Sequence, residues 1–442
     1  MKKLIALVLA LACLMTLAHC RNAPQSSSGT GKSENLTVEQ MEEKFGTKVV
    51  RVLMDLPNAE AGAKSGQFID ALASLPGYGT EFTVFLEYMP DEGVDRSNIV
   101  TRIKTEIMAG KGPDLFMCGQ DTYGISGITY GGSKDPFFTF PEKAMENRLF
   151  LPLDDYIDKA EYMEWDKFLP VVMEAGRNEE GQQIIPMAYF FSVTIVEKEK
   201  YGLEDFVCPK TRMEMVQSGN AAVRFASQIR TVDFVGRVME PGADEPIFSE
   251  EELLEYVIED FELGKTAFAS FDNSIEEDEN CHQGAFFRTK TCWDDASIPM
   301  DEDSPDYCII PARNVNGGVT ANITAFSAIN RNAKYPELAF KIIDYIMRTG
   351  SQQKTDLYAE RLMGGMPVHM DVGSEEYPME NSWYMKEANF KEFETARAEI
   401  SEVKFLGPVD MAVWGIFGAT DEKLKKSVHE QYMLIQMLLA ES

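Results

Sequence analysis

From Val49 onward, short apolar runs rich in β-branched residues alternate with longer amphipathic stretches. The predicted strands and the helices between them are Val49–Met54, 65–75, Phe82–Tyr88, 97–109 and Asp114–Met117. In the second helix Ile99, Ile103 and Ile107 recur every four residues and predict one buried stripe. Arg102 and Glu106 of that helix are expected to face water. Strands separated by helices form βαβ units, so the pattern predicts an α/β fold with a mainly parallel sheet.

Later elements continue this alternation. Two extended pieces, Gln183–Ala188 and Val193–Glu197, are separated by Tyr189–Phe191, an arrangement typical of a crossing between two lobes. A further helix begins at a capping box on Ser249 and is expected to end at Gly264.

The charge balance limits the partners. The 42 Lys and Arg residues against 72 Asp and Glu residues give a net charge of −30. Because 44% of the residues are hydrophobic, the chain can bury a core and carry that charge on a solvated surface. Such a surface repels phosphate backbones, so nucleic acid is not an expected partner.

The first residues resemble an export signal. Two lysines precede an apolar run, Leu4–Ala18, that is too short to span a membrane comfortably. The run ends in Leu17–Cys20, which resembles the lipobox of bacterial lipoproteins. We therefore expect residues 1–19 to be a signal peptide and Cys20 to carry the lipid anchor. Ordinary signal cleavage and a retained N-terminal anchor are the alternatives.

Residues 20–47 are expected to form a tether that ends in a short helix. The segment Arg21–Glu34 is rich in Ser and Gly and has little to bury. A capping box formed by Thr37 and Gln40 predicts the start of the helix, and Gly46 its end.

The sequence predicts no metal site and no cofactor. Cys281 and Cys292 flank a short polar segment and could be bridged, but no paired Cys-x-x-Cys spacing indicates zinc. The histidines form no Ser/His/Asp arrangement. The acidic run Asp301–Asp306 contains a proline, which breaks the calcium-binding EF-hand pattern.

Five segments lie in a recognisable order: Gly110–Phe116, Leu151–Ile157, Glu180–Pro186, Phe326–Lys334 and Gly364–Val368. Together they resemble the family 1 extracellular solute-binding proteins of ABC importers, over most of Val49–Val413. The resemblance implies a two-lobed, periplasmic-binding-protein-like fold of type II, with hinge strands between the lobes and the ligand in the cleft.

Family topology then gives the domain boundaries. Lobe one is expected at 48–188 and 309–349, and lobe two at 195–308 and 350–442. Open α/β sheets bind ligands beyond the carboxyl ends of their strands, which agrees with a cleft between two facing sheets.

Residues after the first and third strands are candidate ligands. Asp121 resembles the aspartate that binds sugar hydroxyls in maltose-binding relatives; a helix cap is the alternative. Tyr123 stands near a position where those relatives have a stacking tryptophan, and it either replaces that ring or packs internally. Asp55 and Asn58 follow the first strand, as ligands or as ordinary turn residues.

Aromatic residues supply the other candidates. Tyr189 and Phe190 lie at the expected crossing, where they line the cleft floor or pack in the core. Trp414 resembles the late tryptophan that stacks on a sugar ring from lobe two. Trp293 and Trp383 are further candidates.

These features predict a monomeric, lipid-anchored receptor on the extracytoplasmic face of the bacterial cell membrane, and not an enzyme. It captures a small solute, a carbohydrate, by lobe closure and delivers it to ABC permease subunits. One alternative is an exported carbohydrate-active enzyme with paired carboxylates. Another is a receptor for peptide or polyamine, since negative charge attracts cationic ligands.

Overall fold

A computed structural model gives the structure of the chain. It describes residues 37–56, 63–90, 93–119, 136–229, 231–269, 275, 281–285, 301–354, 357, 363–380, 384–418 and 423–440. Across those ranges, no helix has the length and apolar character needed to cross a membrane.

The elements are numbered in chain order. The helices are α1 (Val38–Phe45), α2 (Ala63–Leu72), α3 (Gly93–Met108), α4 (Pro141–Glu146), α5 (Asp154–Ile157), α6 (Pro170–Glu174), α7 (Lys198–Tyr201), α8 (Arg212–Val216), α9 (Ala221–Ala226), α10 (Glu250–Ala269), α11 (Pro336–Ile346), α12 (Thr349–Gln352), α13 (Glu387–Arg397), α14 (Pro408–Gly415) and α15 (Leu424–Ala440). The strands are β1 (Lys48–Asp55), β2 (Phe82–Tyr88), β3 (Leu115–Gly119), β4 (Arg177–Asn178), β5 (Gly181–Gln182), β6 (Ile184–Glu197), β7 (His282–Ala285), β8 (Tyr307–Pro311), β9 (Val319–Ile329), β10 (Met366–Pro367) and β11 (Ile400–Phe405).

The first three strands are parallel, as the sequence predicted. β1 lies between β2 and β3, with Lys48 opposite Phe82 and Val52 opposite Leu115. The helices α2 and α3 connect them, and β1 is almost entirely buried because both faces of the sheet are covered.

The rest of the sheet differs from the prediction of a mainly parallel sheet. β3 and β6 both pair antiparallel with β9, and β7, β8 and β10 pair antiparallel with β6. Only the β1–β2, β1–β3 and β9–β11 pairs are parallel among the described strands. The pattern of apolar runs shows that strands are buried on both faces but carries no information on their direction.

β6 is one continuous strand of 14 residues, so the predicted break at Tyr189–Phe191 is wrong. Its first part, from Ile184 to Phe191, pairs with β9, and its last part, from Ser192 to Glu197, pairs with β7 and β8. Aromatic residues are common in buried strands. The pairing of β6 with β9 has two register shifts around Ala188, but the strand itself is not interrupted. A single strand therefore belongs to two sheet regions.

The core contains separate apolar clusters. The largest surrounds β1, β3, β9 and β6 as far as Ile195. A second cluster packs α10, α14 and α15 around residues such as Leu253, Val413 and Ile435. A third lies beside the last part of β6 and contains Val196 and Cys308.

Three predicted details can be compared with the structure. The helix at Thr37 is confirmed, with the capping box and the left-handed Gly46 in place. The helix that begins after Ser249 continues past Gly264 to Ala269, because buried Leu263 and Ala267 outweigh the cost of about 1 kcal/mol of one internal glycine.

Arg102 and Glu106 do not simply face water. Arg51 of β1 reaches Glu87 at 2.5 Å and Glu106 at 2.9 Å, and Arg102 reaches Glu87 at 2.7 Å. This network partly buries the charged side of α3 against β1 and β2.

Candidate functional site

The carboxyl ends of the three parallel strands lie at one edge of the sheet. β1 ends at Asp55, β2 at Tyr88 and β3 at Gly119. The connections that leave this edge include residues 57–62, 91–92 and 120–135, which lie outside the described residues. The candidates Asn58, Asp121 and Tyr123 fall there and stay predictions, as do Trp293, Trp383 and the lipidation site Cys20.

Asp55 is buried and fully engaged by protein donors. Its two carboxylate oxygens accept a bidentate pair of hydrogen bonds from Arg96 of α3, both at 2.9 Å. The backbone N–H of Phe137 donates to the same carboxylate at 2.8 Å. A solute would therefore have to displace Arg96 to reach this carboxylate, and the predicted ligand role of Asp55 stays a prediction.

Tyr189 and Phe190 have no accessible surface. They lie in the middle of β6, where burial raises the pKa of Tyr189. Their burial agrees with core packing, the alternative that the sequence left open, and a place on the cleft floor stays a prediction.

Trp414 is only partly buried, at the end of α14. Its indole meets the ring of Phe417 edge-on at 5.4 Å, and Phe417 packs in turn against Phe234 at 4.6 Å. Pro408 and Met411 are also half-buried and share its face of the helix, at a spacing of three residues. This apolar face of α14 keeps an indole surface available.

The helix α4 joins the two main apolar clusters. Phe138 belongs to the cluster around β1, whereas Phe140, two residues later, belongs to the cluster around α14. Met145 at the other end of α4 packs in the first cluster again. The ammonium of buried Lys143 donates to Asp244 at 2.6 Å and to the carbonyl of Leu439 at 2.5 Å, which caps the end of α15.

A buried charge cluster lies beside this joint. The ammonium of Lys404 contacts Asp410 at 2.7 Å, Asp233 at 3.1 Å and the carbonyl of Gly236 at 2.9 Å. Asn322 of β9 donates to Asp233 at 2.9 Å. Burial lowers the pKa of Lys404, but the two carboxylates outweigh it and raise the pKa above its usual range.

Glu142 of α4 has a pKa shifted toward neutral pH. Burial raises the pKa of Glu142 to about 7, the charge of Asp410 acts in the same direction, and backbone hydrogen bonds and Arg237 oppose it. The side chain is nevertheless partly accessible to solvent.

Sequence reasoning missed Arg96, Glu142 and Lys404. Arg96 precedes Ile99 by three residues, so it extends the buried stripe of α3, and an arginine on such a stripe needs a buried partner. Glu142 and Lys404 carry no comparable signal: the groups that shift the pKa of Glu142 are distant in sequence, and of the two carboxylates at Lys404 only Asp410 is near it in the chain.

A surface hollow of about 650 Å³ is lined by Glu375, Glu376, Pro378 and Tyr384. None of the predicted site residues lines it in the described part of the chain. There is also no group of three His, Cys, Asp or Glu residues arranged to hold a metal ion within the described ranges. Cys118, Cys208 and Cys308 carry free thiols, and the predicted partner of Cys281, Cys292, lies outside the described residues.

These features define an α/β protein in which one long strand is shared by two sheet regions. Several solved protein structures share this fold. A family 1 extracellular solute-binding protein from Alicyclobacillus acidocaldarius matches with a TM-score of 0.56 at 12% identity, over 89% of this chain and 99% of the other. The galacto-N-biose-/lacto-N-biose I-binding protein of an ABC transporter from Bifidobacterium longum, in complex with lacto-N-biose, matches with a TM-score of 0.52 at 12% identity, over 90% and 97%.

A de novo designed cysteine esterase also matches, with a TM-score of 0.54 at 13% identity over 89% of this chain and 98% of the other. No protein-family model and no curated protein matches the sequence. The chain thus has the two-lobed fold of periplasmic solute-binding proteins, and the predicted fold class is confirmed.

Proposed function

We propose that this chain is an extracytoplasmic solute-binding protein that captures a carbohydrate between its lobes and delivers it to an ABC permease. The observation that carries the proposal is the fold match over nearly the whole chain to solute-binding proteins, one of them holding a disaccharide. The protein acts as a monomer that binds and releases its solute unchanged.

Lobe closure is the proposed mechanism. β6 runs through both sheet regions, and the segment from Phe138 to Met145 contacts both apolar clusters, so relative movement of the lobes is centred on these elements. A solute that contacts both lobes stabilises the closed form by its additional contacts, and the permease recognises that form. Micromolar affinity corresponds to about −8 kcal/mol.

Trp414 is the proposed stacking residue. Its partly exposed indole and the neighbouring apolar face of α14 provide a flat surface that suits the C–H face of a pyranose. Asn58, Asp121, Tyr123, Trp293 and Trp383 stay proposed ligand residues.

Cys20 is the proposed lipid anchor at the membrane. The helix α1, which follows the tether, packs through Met41 and through an ion pair between Glu42 and Lys334 at 2.8 Å. Expression with Cys20→Ser should move the protein from the membrane fraction to the soluble fraction. Equal membrane association of both forms would refute the anchor.

The solute class is tested with lacto-N-biose, maltotriose, mannotriose and an oligogalacturonide. We expect at least one sugar to raise the melting temperature and to compact the protein in solution scattering, and Trp414→Ala to weaken its binding about tenfold. Trp165→Phe is the matched control, since Trp165 packs against Phe168 away from α14.

Other outcomes separate the alternatives. Release of shorter sugars from an oligosaccharide would show an enzyme. Binding of spermidine that weakens steeply with salt, without any response to sugars, would show a polyamine receptor.

A further inference from the structure

Asp55 and Arg96 occupy the edge of the sheet from which the proposed solute-contacting connections leave. We call these two residues the edge clasp. Their side chains are about nine-tenths buried, and both carboxylate oxygens are held by the fork of the guanidinium.

The edge clasp joins the end of β1 to the segment after β2 and to Phe137. Asp55 is the last residue of β1 and pairs in register with Cys118 of β3. Arg96 also donates to the carbonyl of Pro90, two residues beyond the end of β2, at 2.9 Å. Phe137, in the described segment that follows β3, donates its N–H to Asp55 at 2.8 Å.

The pair lies next to the buried thiol of Cys118. Burial raises the pKa of the Cys118 thiol, the carboxylate of Asp55 raises it further, and Arg96 lowers it. Because both side chains of the pair are about nine-tenths buried, the pair is not a solvated surface bridge.

A buried ion pair is a weak source of stability, because desolvation offsets much of the attraction. A bidentate arginine–carboxylate pair is, however, stiff and directional. Such a pair is well suited to fixing where chain segments leave the sheet, which is what a preformed binding site requires.

We propose that Asp55 and Arg96 are positioning residues for solute binding: they hold the end of β1, the segment after β2 and Phe137 together at the carboxyl edge without contacting the solute. This rests on the proposed function for its consequence in binding, but the geometric part concerns the protein alone. Asp55 is thereby assigned a role in the site different from the one expected from its place after the first strand.

The test compares Asp55→Asn with Asp114→Asn. Asp114 is a second buried carboxylate on the same strands, at the amino end of β3, where it accepts N–H groups of Arg51 at 2.9 Å and Lys334 at 2.7 Å. It is the matched control for the loss of a buried charge away from the carboxyl edge.

Amide hydrogen exchange is measured first, without any solute. Asp55→Asn should speed exchange at residues 54–56, 88–89 and 137–138 at least tenfold, whereas Asp114→Asn should leave these residues unchanged. Arg96→Lys, which keeps the charge but loses the fork, should give a smaller change and decides the question if Asp55→Asn does not fold.

Affinity for the sugars of the panel is measured second, by calorimetry. Asp55→Asn should lose at least tenfold in affinity and Asp114→Asn less than threefold at the same temperature. Unchanged exchange at the carboxyl edge, or equal affinity losses in both variants, would overturn the proposal. If the unaltered chain binds no sugar, the proposed solute class fails, while the exchange experiment still decides the positioning role.

Discussion

Glu142 should make the stability of this protein depend on pH in the neutral range. Burial next to Asp410 raises the pKa of Glu142 to about 7 from its ordinary value of 4.5. The folded protein therefore binds this proton at pH values where the unfolded chain has lost it. Stability from this group is fully present below about pH 4.5 and is lost as the pH rises through about 7.

The magnitude follows from the two pKa values. Their difference corresponds to about 3 kcal/mol, at about 1.36 kcal/mol for each pKa unit. At pH 5 the unfolded chain has already lost part of this proton, and at pH 8 the folded protein still keeps a small part of it. The expected loss of stability between pH 5 and pH 8 is therefore about 2.5 kcal/mol. Glu142→Gln keeps the neutral shape at every pH and should remove this loss.

Urea unfolding of the unaltered chain and of Glu142→Gln at pH 5 and pH 8 measures the effect. The stability advantage of the variant over the unaltered chain should be about 2.5 kcal/mol larger at pH 8 than at pH 5. Glu146→Gln, at the exposed end of the same helix, is the matched control and should not change the pH dependence. The reasoning is refuted if the free-energy difference between Glu142→Gln and the unaltered chain is the same at both pH values.

Three further substitutions test how the joint and the core are held, each by the shift in urea midpoint. Asp344→Ala removes the acceptor of three backbone N–H groups at 161–163, which lie 2.7 to 3.0 Å away, and should cost about 3 kcal/mol. Lys404→Met leaves two buried carboxylates without their cation and should cost about 3–5 kcal/mol. Gly365→Ala should cost about 1–3 kcal/mol, because its new methyl group would lie 2.5 Å from the hydroxyl of Thr324. Unchanged midpoints would contradict these contacts.

The parts of the fold that could be predicted are those set by local sequence. β1, β2 and the capped helix α1 follow from runs and caps that span a few residues, and the structure places them within a residue of the prediction. The direction of β9 and the continuity of β6 depend on pairing between residues more than a hundred positions apart, such as Ile184 with Ala328. The alternation of apolar residues along the sequence does not show which distant residues pair with each other.

At the candidate site, too, local sequence determines some features and distant residues determine others. A carboxylate at the carboxyl end of a buried strand can accept hydrogen bonds from a solute, from its own turn or from a buried cation, and the sequence around Asp55 fits all three. Arg96, 41 residues away, decides between these three partners because it binds both carboxylate oxygens of Asp55. The spacing of Arg96 from Ile99 already places it on the buried side of α3, where an unpaired guanidinium would be costly. The aspartate that ends β1, together with an arginine on the buried face of α3, the helix after the neighbouring strand β2, is therefore the sequence pattern that indicates an edge clasp instead of a ligand. Glu142 has no such pattern, because the groups that raise its pKa are brought together only by the folding of distant segments.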